Sequence, residues 1–205
     1  MPDQKREIWI HRISHHYNVA KPLLDEQGYL TIGYADLNDP RSDFLKRNLF
    51  KDFSSFNAFI KTTKHYNASR FSLHRFLALF KTGDLIVVPD LEAFSIYEVV
   101  EGSKTIRGCT ITPFKTLQEQ EVTIGKTDRN LYTHDGTKMI DLGFAVKVKP
   151  VSIVGLNGRT KDCVDLPISD FADELLASAL KIKSINGDIT HLTKSVENAL
   201  RIYKN

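Results

Sequence analysis

The side chains best placed to do chemistry in this chain are basic. Lys46, Arg47, Lys51, Lys61, Lys64, Arg70 and Arg75 fall in one stretch, with only Asp43 and Asp52 among them. A guanidinium can grip a phosphate, or the edge of a guanine, through two parallel hydrogen bonds. Arg12 offers the same chemistry near the start of the chain, followed closely by Ser14 and His15. The same cations also suit solvated helix faces. The 28 basic residues stand against 25 acidic ones, for a net charge of +3. Dedicated non-specific DNA binders carry a larger excess, because phosphate contacts supply most of their affinity. Charge alone therefore does not decide for nucleic acid.

Catalytic and metal-binding patterns are absent. His15 and His16 are adjacent, so on a turn they point apart, and no third ligand accompanies them. A metal-dependent nuclease of the PD-(D/E)xK type needs an acidic residue and then Glu/Asp-x-Lys on the next strand. Pro89-Asp90 is followed by Glu101-Gly102-Ser103-Lys104, one residue too long, and Asp141 with Lys147 and Lys149 is too loosely spaced. There is no Gly-x-Ser-x-Gly elbow and no Walker or Rossmann fingerprint. Cys109 and Cys163 have neither metal-ligand spacing nor a neighbouring base. Gly155-Leu156-Asn157-Gly158 carries a hairpin signal, not a phosphate-binding loop. No metal and no cofactor are expected. The chain does not look like an enzyme, and any nuclease activity is expected in another domain or subunit.

The elements that would position these residues can be read from periodicity. Residues 7–13 favour a strand, 14–27 a turn and a short helix stopped by Gly28, and 29–34 a second strand with a bulge or close backbone approach at Gly33. Asn38-Asp39-Pro40 reads as a turn and helix start. From Arg41 to Tyr66 the residues Phe44, Leu45, Leu49, Phe53, Phe56, Phe59 and Ile60 predict one buried helical stripe, with a break near Ser54-Ser55. A third helix, capped by Ser69 or Ser72, places Leu73, Phe76, Leu77 and Phe80 on one side and stops at Gly83. Strands at 84–89 and 93–101 come next, joined by the corner Pro89-Asp90-Leu91-Glu92. Further strands are expected at 104–111, 120–124, 130–133 and 142–154. Beyond Leu166-Pro167 two helices are expected, at 170–182 and 189–203. The fold class is α+β, with a small curved β-barrel at its centre, inserted helices and a C-terminal helical pair. Residues 1–160 form the expected main domain and 161–205 a helical extension or connector.

Four segments carry a resemblance to a known family. Trp9-Ile10-His11-Arg12-Ile13-Ser14-His15 resembles the tryptophan-bearing opening strand of the PUA-like superfamily, which includes the PUA, ASCH, YTH and EVE domains. Gly83-Asp84 before an apolar strand resembles that group's Gly-Asp, and Phe71-Ser72-Leu73-His74-Arg75-Phe76 its preceding helix. Phe94-Ser95-Ile96-Tyr97 is similar to the strand that returns past the pocket. The chain departs from the pattern in lacking a second pocket tryptophan and in carrying the Phe-rich helix. The resemblance implies a cleft at the end of the first strand that holds a flipped base between rings and reads its polar edge. It places Trp9, Ser14, Tyr34, Asp84, Phe94 and Tyr97 at a base pocket, and Arg12, His15, Arg70 and Arg75 on the nucleic-acid backbone. Trp9, Tyr34 and Tyr97 fit core positions as readily as pocket walls, Phe94 fits the core better than the pocket, and Asp84 fits a turn-fixing role better than a base-reading one.

The resemblance implies a nucleic-acid-binding module that reads a modified base in DNA, with DNA favoured over RNA, as the recognition part of a restriction or phage-defence system. An effector nuclease or motor would be its partner. Two alternatives stand beside it: a PUA-like RNA-binding domain, and an interaction scaffold whose stripe Ile189, Leu192, Val196, Ala199, Leu200 and Tyr203 recruits an effector or a second copy of the chain. No apolar run approaches the ~20 residues needed to span a bilayer, so no membrane partner is expected. The start of the chain has no signal-peptide core and the cysteines are few, which points to a reduced, cytoplasmic setting.

Overall fold

The computed structural model describes residues 7–13, 16–38, 52–67, 70–90, 93–154 and 159–167. In chain order they form β1 (Ile8–Ile10), α1 (Tyr17–Gln27), β2 (Tyr29–Ile32), α2 (Phe53–Ile60), α3 (Arg70–Ala78), β3 (Leu85–Pro89) and β4 (Ala93–Thr105). Next come β5 (Phe114–Lys115), β6 (Glu121–Ile124), β7 (Leu131–Tyr132), β8 (Phe144–Pro150), β9 (Ser152–Val154), β10 (Thr160–Asp162) and β11 (Leu166–Pro167). The fold is α+β. The chain divides into two compact units, one of Met1–Arg12, Thr82–Val99 and Lys149–Asn205, the other of Ile13–Lys81 and Val100–Val148.

In the first unit β1 runs parallel to β3, with Ile8 opposite Leu85, Trp9 opposite Ile86 and Ile10 opposite Val87. β3 turns back antiparallel into β4 through a corner in which the Asp90 N–H donates to the Ala93 carbonyl at 2.8 Å. On the other edge of β4, β11 pairs antiparallel, Leu166 opposite Phe94. Alternation sends neighbouring side chains to opposite faces. One face holds Ile8, Leu85, Val87, Phe94, Ile96 and Leu166, packed with Cys163 into a single core cluster. The other face carries Trp9, Ile86 and Tyr97 in one row across the three strands. Leu166 and Pro167 thus belong to this sheet, although they fall beyond the expected domain boundary at 160. β9 and β10 pair antiparallel, as the Asn157-Gly158 signal predicts.

In the second unit β2 pairs antiparallel with β8, which also neighbours β4. A smaller sheet joins β5, β6 and β7. α1 buries Val19, Ala20, Leu23 and Leu24. Pro22 lies inside it and has no N–H for the Asn18 carbonyl. That carbonyl accepts from the Leu117 N–H instead, at 3.0 Å. α1 ends as expected at Gly28, in the left-handed region at φ 62°. A Cβ at Gly28 would come within 2.5 Å of the Val148 carbonyl oxygen, so both conformation and space require glycine.

Several boundaries differ from expectation. α2 begins at Phe53, where the Asp52 side chain caps it by accepting from the Ser55 N–H at 2.9 Å. The break expected near Ser54-Ser55 therefore falls just before Phe53, and the two serines lie in the first turn. Phe56 and Ile60 are buried, whereas Phe53 is 36 % exposed. Phe44, Leu45 and Leu49 lie outside the described residues. The Thr62 and Thr63 hydroxyls end α2 by donating to the Phe59 and Ile60 carbonyls. Ser72 sits inside α3 and cannot be its cap, and Ser69 is outside the described residues. β4 runs on to Thr105, and the strand expected at 104–111 is replaced from Ile106 by a 3₁₀ turn. No pairing among the described residues closes a barrel. The expected C-terminal helical pair lies outside them.

Gly28→Ala should lower unfolding stability by about 1–3 kcal/mol in denaturant titration, the cost of a non-glycine residue held in the left-handed region. A change below about 0.5 kcal/mol would mean that the turn relaxes without strain.

Candidate functional site

The first unit joins Trp9 and Gly83-Asp84, two of the segments that carry the family resemblance. Gly83, at φ 91°, turns the chain into β3, its N–H donating to the Val99 carbonyl at 2.9 Å. Asp84 is buried at that entry. Its Oδ1 accepts from the Glu7 N–H at 3.2 Å and its Oδ2 from the Trp9 indole N–H at 3.0 Å. The Leu85 N–H donates to the Glu7 carbonyl at 3.0 Å. Asp84 is therefore the clamp that holds β1 alongside β3, and half-buried Trp9 contributes the side-chain half of it.

The other expected pocket residues in this unit divide between the faces. Tyr97 shares the face of Trp9 but is only 2 % exposed. Phe94 is 1 % exposed and sits in the core cluster on the opposite face. Two side chains three positions apart on a strand cannot line one wall. Phe94 and Tyr97 are core residues here, and Phe94 does not join Trp9. Arg12 is exposed just beyond β1. Ser14 and His15 lie outside the described residues.

Tyr34 belongs to the second unit, buried where β2 has ended, with a left-handed φ of 69°. A Cβ on Gly143 would fall 2.5 Å from its carbonyl oxygen, and the Gly143 N–H donates to the Gly33 carbonyl at 3.1 Å, so the close backbone approach expected at Gly33 is made by Gly143, just before β8. The Tyr34 ring meets His65 edge-on at 5.1 Å. His65 in turn donates from Nε2 to both oxygens of Asp36, at 2.9 and 2.8 Å, since a carboxylate can only accept. Lys64 Nζ adds an ion pair to Asp36 at 3.1 Å. Burial pushes the Asp36 carboxyl up, but the hydrogen bonds from His65 and Lys64 outweigh it and hold the group below the usual carboxylate range.

The same unit carries a chain of planar groups around Arg70, an expected backbone contact, whose rings the sequence does not single out. Arg70 opens α3, with its guanidinium 4.4 Å from the centre of the Phe71 ring and 4.7 Å from that of Tyr66. Its Nε donates to Asn57 Oδ1 at 3.1 Å and its Nη1 to the Asn67 carbonyl at 2.6 Å, which fixes the plane. Phe71 stacks on Phe53, centroids 5.0 Å apart and planes 14° from parallel. Phe53 meets His74 edge-on at 5.2 Å. Lys61 lies 5.8 Å over Tyr66. Phe53, Phe71 and Tyr66 are 36, 42 and 47 % exposed. Arg75 is half-buried one turn beyond Phe71 on α3. The helical periodicity assigns Phe53 to a buried stripe and gives Phe71 no role of its own. The available signal is the local run Lys61, Tyr66, Arg70, Phe71, in which cations alternate with rings.

Burial pushes the Cys109 thiol up to about 11 and raises that of Cys163 as well, so neither is a thiolate at neutral pH. Among the described residues no three His, Cys, Asp or Glu side chains converge as a metal site, and no helix is long and apolar enough to cross a membrane. No protein-family model, curated protein or solved structure matches this chain.

The Trp9–Asp84 bond should show as a coupling of about 1.5–3 kcal/mol in a double-mutant cycle of Trp9→Phe and Asp84→Ala, the range for hydrogen bonds to charged groups. Additive losses would remove the clamp. Asp36 generates a second expectation. A depressed carboxylate stabilises the fold above its unfolded pKa, and that contribution disappears as pH falls through the folded pKa. The stability gap between the wild type and Asp36→Asn should therefore be present at neutral pH and close below about pH 4. A gap unchanged down to about pH 3 would exclude the ionised pair as its cause.

Proposed function

We propose that this chain is a nucleic-acid-binding module, with DNA favoured over RNA, that serves as the recognition part of a restriction or phage-defence system. The observation that carries the proposal is the exposed surface of α2 and α3, where Arg70 and Lys61 interleave with Phe53, Phe71 and Tyr66. Rings that accept bases by their faces, set among cations that accept phosphates, are the two requirements of nucleic-acid binding met in one place. The bond from Trp9 to Asp84 supports a PUA-like core, because it joins two of the segments that resemble that family. In that core the sheet would curve into a small barrel. Trp9 is the one expected pocket ring that is not buried, so it is the ring that would stack on a flipped, modified base. The two unpaired cysteines fit a reduced, cytoplasmic setting. The nuclease or motor such a system needs would come from another domain or subunit.

The test is fluorescence anisotropy on matched duplexes carrying plain, 5-methyl, 5-hydroxymethyl or glucosylated cytosine, at low and physiological salt. Binding should weaken as salt rises, and one modified duplex should bind best while quenching Trp9, the sole tryptophan. Salt-sensitive binding without preference or quenching would leave a backbone binder. No binding at all, to duplex or single strand, would favour the interaction-scaffold alternative.

A further inference from the structure

Single exposed apolar side chains are ordinary on protein surfaces and need no explanation. Three exposed rings linked through one guanidinium are not scattered in that way. Phe53, Phe71 and Tyr66 are in contact with one another or with Arg70, and each keeps more than a third of its surface open. Arg70 does not make this surface by chance of rotamer, since Asn57 and the Asn67 carbonyl hold its plane against the rings. A guanidinium has N–H groups beyond the two engaged here, and Lys61 adds a second positive charge at the Tyr66 end. Among the described residues, two acidic side chains of these segments, Asp36 and Asp52, are already committed. Asp36 is paired with Lys64 and His65, and Asp52 caps α2. The surface therefore presents rings and positive charge together.

That combination discriminates between forms of nucleic acid. A duplex hides the faces of its bases in the stack and offers phosphates alone to a flat surface. An unpaired strand offers both, and stacking on aromatic side chains tolerates any base because every base has a π-face. We infer that the α2–α3 surface binds single-stranded nucleic acid, with unpaired bases stacking on Tyr66, Phe71 and Phe53 and phosphates held by Arg70 and Lys61. This rests on the nucleic-acid reading and adds a substrate form to it: the strand that is unpaired beside a flipped base, or one that is single-stranded from the outset.

The experiment uses the full chain and a fluorescein-labelled oligonucleotide of about a dozen nucleotides, single-stranded or annealed to its complement. The wild type should prefer the single strand. Tyr66→Ala and Phe71→Ala should each weaken single-strand binding about tenfold, the loss of one stacked base, and change duplex binding less than about twofold. Both positions are exposed, and thermal unfolding would verify that the variants fold. Arg70→Lys keeps the charge and should still lose single-strand affinity, because an ammonium is not planar. Equal losses on both forms, or no loss from any variant, would overturn the inference. Wild-type binding to a modified duplex but not to the single strand would overturn it alone and leave the broader reading standing. No binding to either form at low salt would overturn both. A loss of self-association in the ring variants, with nucleic-acid binding unchanged, would overturn it too and reassign the surface to a second copy of the chain.

Discussion

A buried carboxylate that must find donors is the constraint on which the first unit depends. Asp84 enters β3 below the surface, where an unsatisfied charge would be costly. Its two oxygens are met by the Glu7 N–H and the Trp9 indole N–H, both from the opening segment. β1 is only three residues long and lies parallel to β3, far along the sequence. So short a parallel pairing has few ladder bonds of its own. The carboxylate supplies what the ladder lacks, and it does so only when Trp9 is opposite Ile86. One side chain thus fixes partner, direction and register, and through β3 it sets the strand on which Tyr97 and Phe94 face opposite sides.

The second unit uses a different device, the planar guanidinium. Arg70 lies between two rings and is tied to Asn57 of α2 and to the loop between the helices. Those contacts join α2 and α3 while leaving the outer surfaces of the rings open. A lysine could supply the charge but not the plane or the rigid fork of donors that reaches Asn57 and Asn67 at once. Stability and recognition would then draw on the same side chain, because a rigid stacking surface loses little freedom when a ligand arrives. Tyr34 shows the opposite outcome. Its ring is buried against His65, and the Asp36–His65–Lys64 group around it is satisfied from within.

The types of most elements were legible in the sequence. Strands at β1, β2, β3 and β4, the stop at Gly28 and the apolar side of α3 come from period, glycine chemistry and β-branched content. These signals are local, and local rules suffice for them. The extent of β4 was not legible, because polar residues from Glu101 to Lys104 give no apolar alternation. The start of α2 at Phe53 falls within two residues of the break expected near Ser54-Ser55, but its exact place was not legible. A stripe of aromatics at three- and four-residue steps does not say where a cap interrupts it, and the Asp52 side chain makes that decision by one hydrogen bond.

The candidate site divides along the same line. Residue type and order alone determined that Trp9, Gly83-Asp84 and a basic stretch exist. Whether a given ring is core or surface was open in the sequence for Trp9, Tyr34 and Tyr97. Tertiary structure put Tyr97 inside, turned Phe94 to the other face and left Phe53, Phe71 and Tyr66 open. The reason is physical: an aromatic side chain gains from a core and also from a surface stack with a guanidinium, so its chemistry does not select between them. Only the partners that reach it across the fold make that choice, as Asp84 does for Trp9 and Arg70 does for Phe71.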